Sequence, residues 1–224
     1  MGPKGRRNPP SVCATMGPGE TSHLAGDVSL VAHTPSPPQA RLRRRHIWAR
    51  ENGEHYVEPP WCSRRLFEAE TFEGAIHDPC CGFGRIVDSA RFAGLVATGA
   101  DIVARAPGFE VINFFQERRE FSNLVFNPPF DNLHGFITHA LHSAPHVAAI
   151  FPVARLNAAH WLQETSLCRI WLLSPRPSMP PGSYILAGGK PPGGRVDFCW
   201  LVFKRGFAGP PTMAWLYRDH GVPR

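Results

Sequence analysis

The sequence predicts an α/β fold: a mostly parallel sheet of seven strands with helices on both faces. Three observations predict it. Short apolar runs alternate with helical stretches between residues 75 and 203, the order expected of a parallel sheet whose crossovers are helices. A glycine turn, Asp78-Pro79-Cys80-Cys81-Gly82-Phe83-Gly84, joins the first run to a helical stretch. A proline loop, Asn127-Pro128-Pro129-Phe130, ends the fourth run. Ligands of such sheets sit beyond the carboxyl ends of the strands, where both turns fall.

Ala75-Ile76-His77 is the first strand, and Arg85 to Ala90 is the helix behind the glycine turn. Leu95 to Ala100 forms the second strand and ends in Asp101, with Glu110 to Phe114 as the third and Ser122 to Phe126 as the fourth. Phe136 to Leu141 follows as a helix. Val147 to Phe151 is the fifth strand, stopped by Pro152 because proline has no N–H to continue a ladder. Ala154 to Glu164 is expected to be helical, Cys168 to Leu173 a sixth strand and Val196 to Phe203 a buried last strand. Between them, Ser174 to Gly194 is dense in proline and glycine. A loop of that length in a compact domain is more often functional than idle.

The two turns carry the chemistry. Each proline of Asn127-Pro128-Pro129-Phe130 fixes φ and pushes its predecessor into an extended conformation. The loop is therefore stiff and presents one amide, the Pro128 carbonyl and one aromatic ring. The Asn127 oxygen and the Pro128 carbonyl can both accept from a planar NH₂ while Phe130 stacks on its ring. An ordinary Asn-Pro turn is the competing account of this stretch alone. In the other turn, glycines let the backbone approach a ligand at a helix N-terminus. Asp101, seventeen residues after Gly84, is placed to hold the two hydroxyls of a ribose. A dinucleotide fingerprint would need a third small residue where Val87 stands, and no nucleotide-triphosphate loop occurs.

With both motifs in order, residues 46–205 resemble a class I S-adenosylmethionine-dependent methyltransferase of the amino-methyltransferase kind that acts on adenine N6. The resemblance implies a Rossmann-like seven-stranded sheet whose last strand lies antiparallel at the edge. It implies that S-adenosyl-L-methionine is the cofactor, its methionine part cradled by Asp78, Pro79, Cys80, Gly82 and Gly84 and its ribose held by Asp101. Tyr56 and Pro59, in Tyr56-Val57-Glu58-Pro59, match the segment that closes over the cofactor carboxylate. Asn113-Phe114 stands where the family often has Asp-Phe against the cofactor adenine. Asn127, Pro128, Pro129 and Phe130 match the residues that hold the target amine.

The implied reaction is methyl transfer to adenine N6 in DNA. RNA adenine, cytosine N4 and a glutamine side chain present the same planar NH₂ and stay open, as does a non-catalytic adaptor that kept the fold. DNA is the expected partner, with a separate specificity partner possible because little chain follows the last strand.

Composition sets the outer bounds. Residues 1–50 hold eight Lys or Arg against two acids, and residues 51–224 hold sixteen of each, so the net charge of +6 sits in the leader. Arg41, Arg43, Arg44 and Arg45 are its dense cluster. Residues 1–45 are expected to be a disordered basic leader and 46–224 the methyltransferase domain. The arginines are either a solvated extension or an arm that contacts phosphates. No apolar run approaches the roughly 18 to 20 residues of a membrane span, and no signal segment opens the chain. Six cysteines without a CxxC pair suggest reduced thiols in a cytoplasmic protein and no metal site. His139, His142 and His146 lack a neighbouring acid, and like Trp161, Trp171, Trp200 and Trp215 they are expected to pack rather than to react.

Overall fold

The computed structural model describes residues 55–219. The basic leader, its arginine cluster and Cys13 lie outside the described residues. The strands are β1 (Ile76–Asp78), β2 (Ala97–Asp101), β3 (Glu110–Val111) and β4 (Asn123–Phe126), then β5 (His146–Pro152), β6 (Leu167–Ser174), β7 (Phe198–Lys204) and β8 (Thr212–Tyr217). The helices are α1 (Pro60–Ala69), α2 (Arg85–Phe92), α3 (Leu133–Ser143) and the short α4 (Gly182–Leu186).

All eight strands form one sheet in the order β3-β2-β1-β4-β5-β7-β6-β8. Every ladder from β3 to β5 is parallel, β7 runs antiparallel to both β5 and β6, and β8 is parallel to β6. This is the expected α/β architecture with one strand more. The antiparallel strand is also not at the edge. β7 is buried along Phe198 to Phe203, so both of its faces need cover and both of its backbone edges need partners. It therefore lies between β5 and β6. The edge belongs to β8, whose Met213 and Trp215 are half exposed.

Period-two alternation in the central strands divides the core into two layers. Val125, Ala148, Ile150, Trp200 and Val202 face the α1 and α2 side. Leu124, Phe126, Val147, Ala149, Phe151, Leu201 and Phe203 face the α3 side. Helix α1 starts at Pro60, where the missing N–H costs nothing, and buries Cys62, Ser63, Leu66 and Phe67. Trp200 Nε1 donates to the Cys62 carbonyl at 3.0 Å and pins that helix to β7. Helix α2 packs its Val87 against Gly99 of β2. A Cβ added at Gly99 would lie 3.0 Å from Val87 Cγ2, so the small residue that close packing needs sits on the strand and not on the helix.

Several local expectations change. The stretch from Ala154 to Glu164 forms two 3₁₀ segments, Val153–Ala158 and His160–Glu164, instead of an α-helix. The third strand ends at Val111, because Asn113 Oδ1 accepts from Phe115 N–H at 3.0 Å and starts a 3₁₀ turn at Phe114–Gln116. The Pro/Gly-rich segment after β6 straps the chain ahead of α1. Val57 N–H donates to Pro180 O and Gly182 N–H to His55 O, both at 2.9 Å.

Candidate functional site

The carboxyl ends of β1, β2 and β4 open into one cleft of about 200 Å³. Its floor is the glycine turn. Asp78 Oδ1 accepts from Cys80 N–H at 3.0 Å and closes the first bend. Gly82 adopts φ +51°, and a Cβ there would lie 2.4 Å from His55 Nε2. Gly84, at φ +81°, caps α2. Asp101 ties this turn to the next loop: Oδ2 accepts from Gly82 N–H at 2.9 Å and Oδ1 from Val103 N–H at 3.0 Å. Each Asp101 oxygen thereby keeps acceptor capacity for one more donor. The Arg105 guanidinium is 3.7 Å away.

The opposite wall is built around Asn127. Its Nδ2 donates to Tyr56 O at 2.9 Å and to Glu58 Oε2 at 3.0 Å. Its Oδ1 is buried without a hydrogen-bond partner among the described residues. A buried unsatisfied acceptor costs about 1 to 3 kcal/mol, so its persistence here demands a reason. Glu58 is 6 % exposed. Burial pushes its carboxyl up to about 7, against the opposing effects of its hydrogen bonds and of Arg85. Burial likewise holds the Asp78 carboxyl well above the ordinary range, and the nearby Glu58 and Asp101 charges add to the shift. The His55 ring is held down to about 4, by burial first and by Arg105 second.

An apolar end completes the cleft, with Phe114, Phe115 and Phe136 in mutual ring contact beside Asn113. Of the residues expected from the sequence, Tyr56, Asp78, Pro79, Cys80, Gly82, Asp101, Asn113, Phe114, Asn127 and Pro129 line this space. Pro59, Gly84, Pro128 and Phe130 do not line it, and Phe130 instead lines a second cleft with Asn132, His134, Arg155 and Trp161. The Phe130 ring lies parallel to Tyr56, 6.3 Å between centroids, and tilted on Phe198 at 5.4 Å. Its carbonyl accepts from Arg155 Nη1.

Sequence reasoning does not single out His55, Glu58, Arg85, Arg105, Phe115 or Phe136, which also line the cleft. Glu58 had a signal, being an acid inside the segment already matched. The arginines and the two phenylalanines had none beyond their neighbours. His139 and His146 pack on Phe114 and Phe72, with centroids 4.6 and 4.5 Å apart, and Trp200 is a core residue. Among the described residues no group of three His, Cys, Asp or Glu could hold a metal ion, and no helix is long and apolar enough to cross a membrane.

Comparisons with protein-family models and with curated protein sequences give no match. Solved structures do match. The chain is similar to a proposed RNA methyltransferase from Pyrococcus horikoshii, with a TM-score of 0.51 and 13% identity over 65% of this chain and 83% of that one. It is also similar to protein 1320 of Thermoplasma acidophilum, with a TM-score of 0.49 and 15% identity over 65% and 84% of the two chains. The modification subunit of a proposed type I restriction enzyme from Vibrio vulnificus matches with a TM-score of 0.47 and 14% identity over 76% of this chain and 49% of that one. The first of these shows a shared fold: the chain has the Rossmann-like sheet of that methyltransferase structure.

Proposed function

We propose that the cleft binds S-adenosyl-L-methionine and that the protein methylates an exocyclic amino group, with adenine N6 in DNA as the substrate that the motif order favours. One observation carries the reading. The buried Asn127 Oδ1 has no partner among the described residues while both hydrogens of the same amide are engaged, and Asn127 lines the cleft, so one acceptor there is left without a donor. A target NH₂ supplies that donor. The methyltransferase description of a solved structure with the same fold supports the reading.

The residues present fit the cofactor. Glu58, Asp78 and Asp101 converge on one cleft, and burial disfavours the charged forms of the first two. A positively charged ligand offsets that penalty. Gly82 and Gly84 hold the turn at positive φ with His55 and Phe109 packed where their Cβ atoms would stand, Asp101 has acceptor capacity for ribose hydroxyls, and the phenylalanine end suits a flat ring. When bound, the cofactor supplies an electrophilic methyl group on a sulfonium.

The protein's own contribution is to aim and polarise the amine. An aromatic amine is a poor nucleophile because its lone pair is delocalised into the ring. Accepting its hydrogens on Asn127 Oδ1 and, as the motif implies, on the Pro128 carbonyl next to it favours a pyramidal nitrogen with the lone pair directed away from the ring. Positive charge develops on that nitrogen, and the fixed acceptor dipoles stabilise it. Stiff prolines hold the acceptors in place, which is where most remaining acceleration arises. The loop needs no strong base, since the methylated cationic amine loses its proton readily. A base inside a duplex must be flipped out to reach the loop, at a cost of a few kcal/mol.

The test is transfer of labelled methyl from S-adenosylmethionine to DNA, RNA and protein pools, followed by nucleoside and amino-acid analysis. Label recovered as N6-methyladenine in DNA is the expected result. Label confined to RNA, to cytosine or to glutamine reassigns the substrate. Cofactor binding with no transfer to any pool leaves a cofactor-binding adaptor.

A further inference from the structure

The side-chain amide of Asn127 works only one way round. Tyr56 O is a backbone carbonyl and can only accept, so the amide edge facing it must be the NH₂. Glu58 Oε2 takes the second hydrogen. Flipped by 180°, the amide would set Oδ1 against two acceptors and point donors at the target amine, which itself brings donors. Tyr56 and Glu58 together exclude that state.

Their contributions differ. The carbonyl is fixed by the strap, through the Tyr56–Pro181 bridge and the Val57-to-Pro180 hydrogen bond. Glu58 is a side chain with its own protonation equilibrium. Its surroundings are Arg85, whose Nη1 donates to the Glu58 carbonyl at 3.2 Å, together with the Asp78 carboxyl, the Cys62 thiol and Asn127 itself.

We propose that Glu58 is a positioning residue for Asn127: it holds the amide in the one orientation that presents Oδ1 to the target amino group, and its ionisation sets how strongly that oxygen accepts. The proposal rests on the methyltransferase reading for its consequence but not for its geometry. A carboxylate pulls on Nδ2–H and polarises the whole amide, which enriches the charge on Oδ1, because linked hydrogen bonds strengthen one another in a low-dielectric site. The neutral acid still accepts through its carbonyl oxygen, but more weakly, and its O–H must point away from Nδ2. Since burial places the carboxyl near 7, the change falls within the working pH range. Methyl transfer therefore rises as pH rises through about 7.

Two variants and one spectroscopic measurement test this. Glu58→Gln keeps an acceptor oxygen that is neutral at every pH. Its single-turnover rate at saturating cofactor is expected within about three-fold of wild type at pH 6, about ten-fold lower at pH 8 and nearly flat between them, on the scale of one charge-assisted hydrogen bond. Glu58→Met removes the acceptor and is expected to lose about 10²-fold at pH 8, so that Gln rescues Met in part. A residue of purely structural importance would give parallel losses in both variants and leave the pH profile unchanged. Wild-type rates in Glu58→Met, or a preserved pH dependence in Glu58→Gln, overturn the proposal.

The measurement independent of catalysis is the side-chain amide signal of Asn127 in [15N]-asparagine-labelled protein, assigned by its loss in Asn127→Ala. It is expected to titrate near pH 7 in wild type and not in Glu58→Gln. A signal that ignores pH in wild type overturns the proposal even if every variant folds poorly. If wild type transfers no methyl group, the functional reading falls while this titration still decides the Glu58 geometry.

Discussion

The turns that leave β1 and β4, neighbours in the sheet, are opposites in chemistry. Asp78 to Gly84 is made of freedom: two glycines at positive φ let the backbone bend back on itself. Asn127 to Phe130 is made of constraint, since two prolines remove donors and fix φ. The first is organised from outside by carboxylates, Asp78 accepting from Cys80 and Asp101 from Gly82. The second presents acceptors and is organised from outside by acceptors, with Tyr56 O and Glu58 taking both side-chain amide hydrogens of Asn127. The first turn thus sets carboxylates beside the cleft, with acceptor capacity left on Asp101 for hydroxyl donors, and the second sets an acceptor for an N–H donor. A methyl transfer between two bound molecules needs both.

Mutations should separate the two turns. The largest expected effect is at the proline loop. Asn127→Ala removes the unpartnered acceptor, and turnover is expected to fall by roughly 10² or more while cofactor affinity stays nearly unchanged. Single-turnover transfer and calorimetry with S-adenosylhomocysteine measure the two quantities. Normal turnover in this variant would sink the assignment of the amine site.

Asp101→Ala reverses the pattern. Cofactor affinity is expected to drop by roughly 1.5 to 3 kcal/mol, the range for hydrogen bonds to a charged group. Gly82 and Val103 N–H also lose their acceptor in this variant, so Asp101→Asn, which keeps one oxygen, should fall between the two. Equal affinity in all three proteins would mean that the ribose is held elsewhere.

A third pair compares the backbones themselves. Gly82→Ala forces an L-residue to φ +51° and drives its Cβ toward His55, so unfolding stability should fall by at least about 1 to 2 kcal/mol. Pro129→Ala keeps a conformation open to any residue and mainly loosens the unfolded chain, a cost of about 0.4 to 1 kcal/mol. Denaturant titration checks both. If the proline variant proves the costlier, the picture of a free turn beside a stiff one is wrong.

How much of this was legible in the sequence follows from the range of each interaction. β1, β2, β4 and β5 are announced by local apolar runs, and the two turns by glycine and proline, whose effects act on their own φ angles. β8 carries a continuous apolar run, Met213 to Tyr217 behind Pro210-Pro211, but it is short and half exposed, and such a run does not by itself separate a strand from other apolar segments. α1 was missed because its apolar stripe, Cys62, Leu66 and Phe67, spans little more than one turn of a ten-residue helix and is a weak periodic signal. Glu58 was invisible as a positioning residue for a stronger reason. Its partner Asn127 is 69 residues away, and amide orientation is a property of the assembled site.

The last expected effect links both turns through charge. Glu58 lines the same cleft as the glycine turn, and its folded value of about 7 stands above its ordinary 4.5. At pH 6 the carboxyl is mostly neutral, and at pH 8 it is mostly ionised. The Asp78 carboxyl is pushed up as well, by burial first and in part by the Glu58 charge. His55, held down to about 4, stays neutral across this window. Raising the pH therefore adds negative charge to the cleft. S-adenosylmethionine carries a sulfonium, whereas S-adenosylhomocysteine has the same skeleton without that charge. The preference for the cation over the thioether is expected to rise by about three- to ten-fold from pH 6 to pH 8, or roughly 0.7 to 1.4 kcal/mol. Glu58→Gln should remove most of that rise. Calorimetry of both ligands at the two pH values, in wild type and in the variant, provides the check. A ratio that does not change with pH would place Glu58 too far from the sulfonium to sense it, and would leave its hold on Asn127 as its only task.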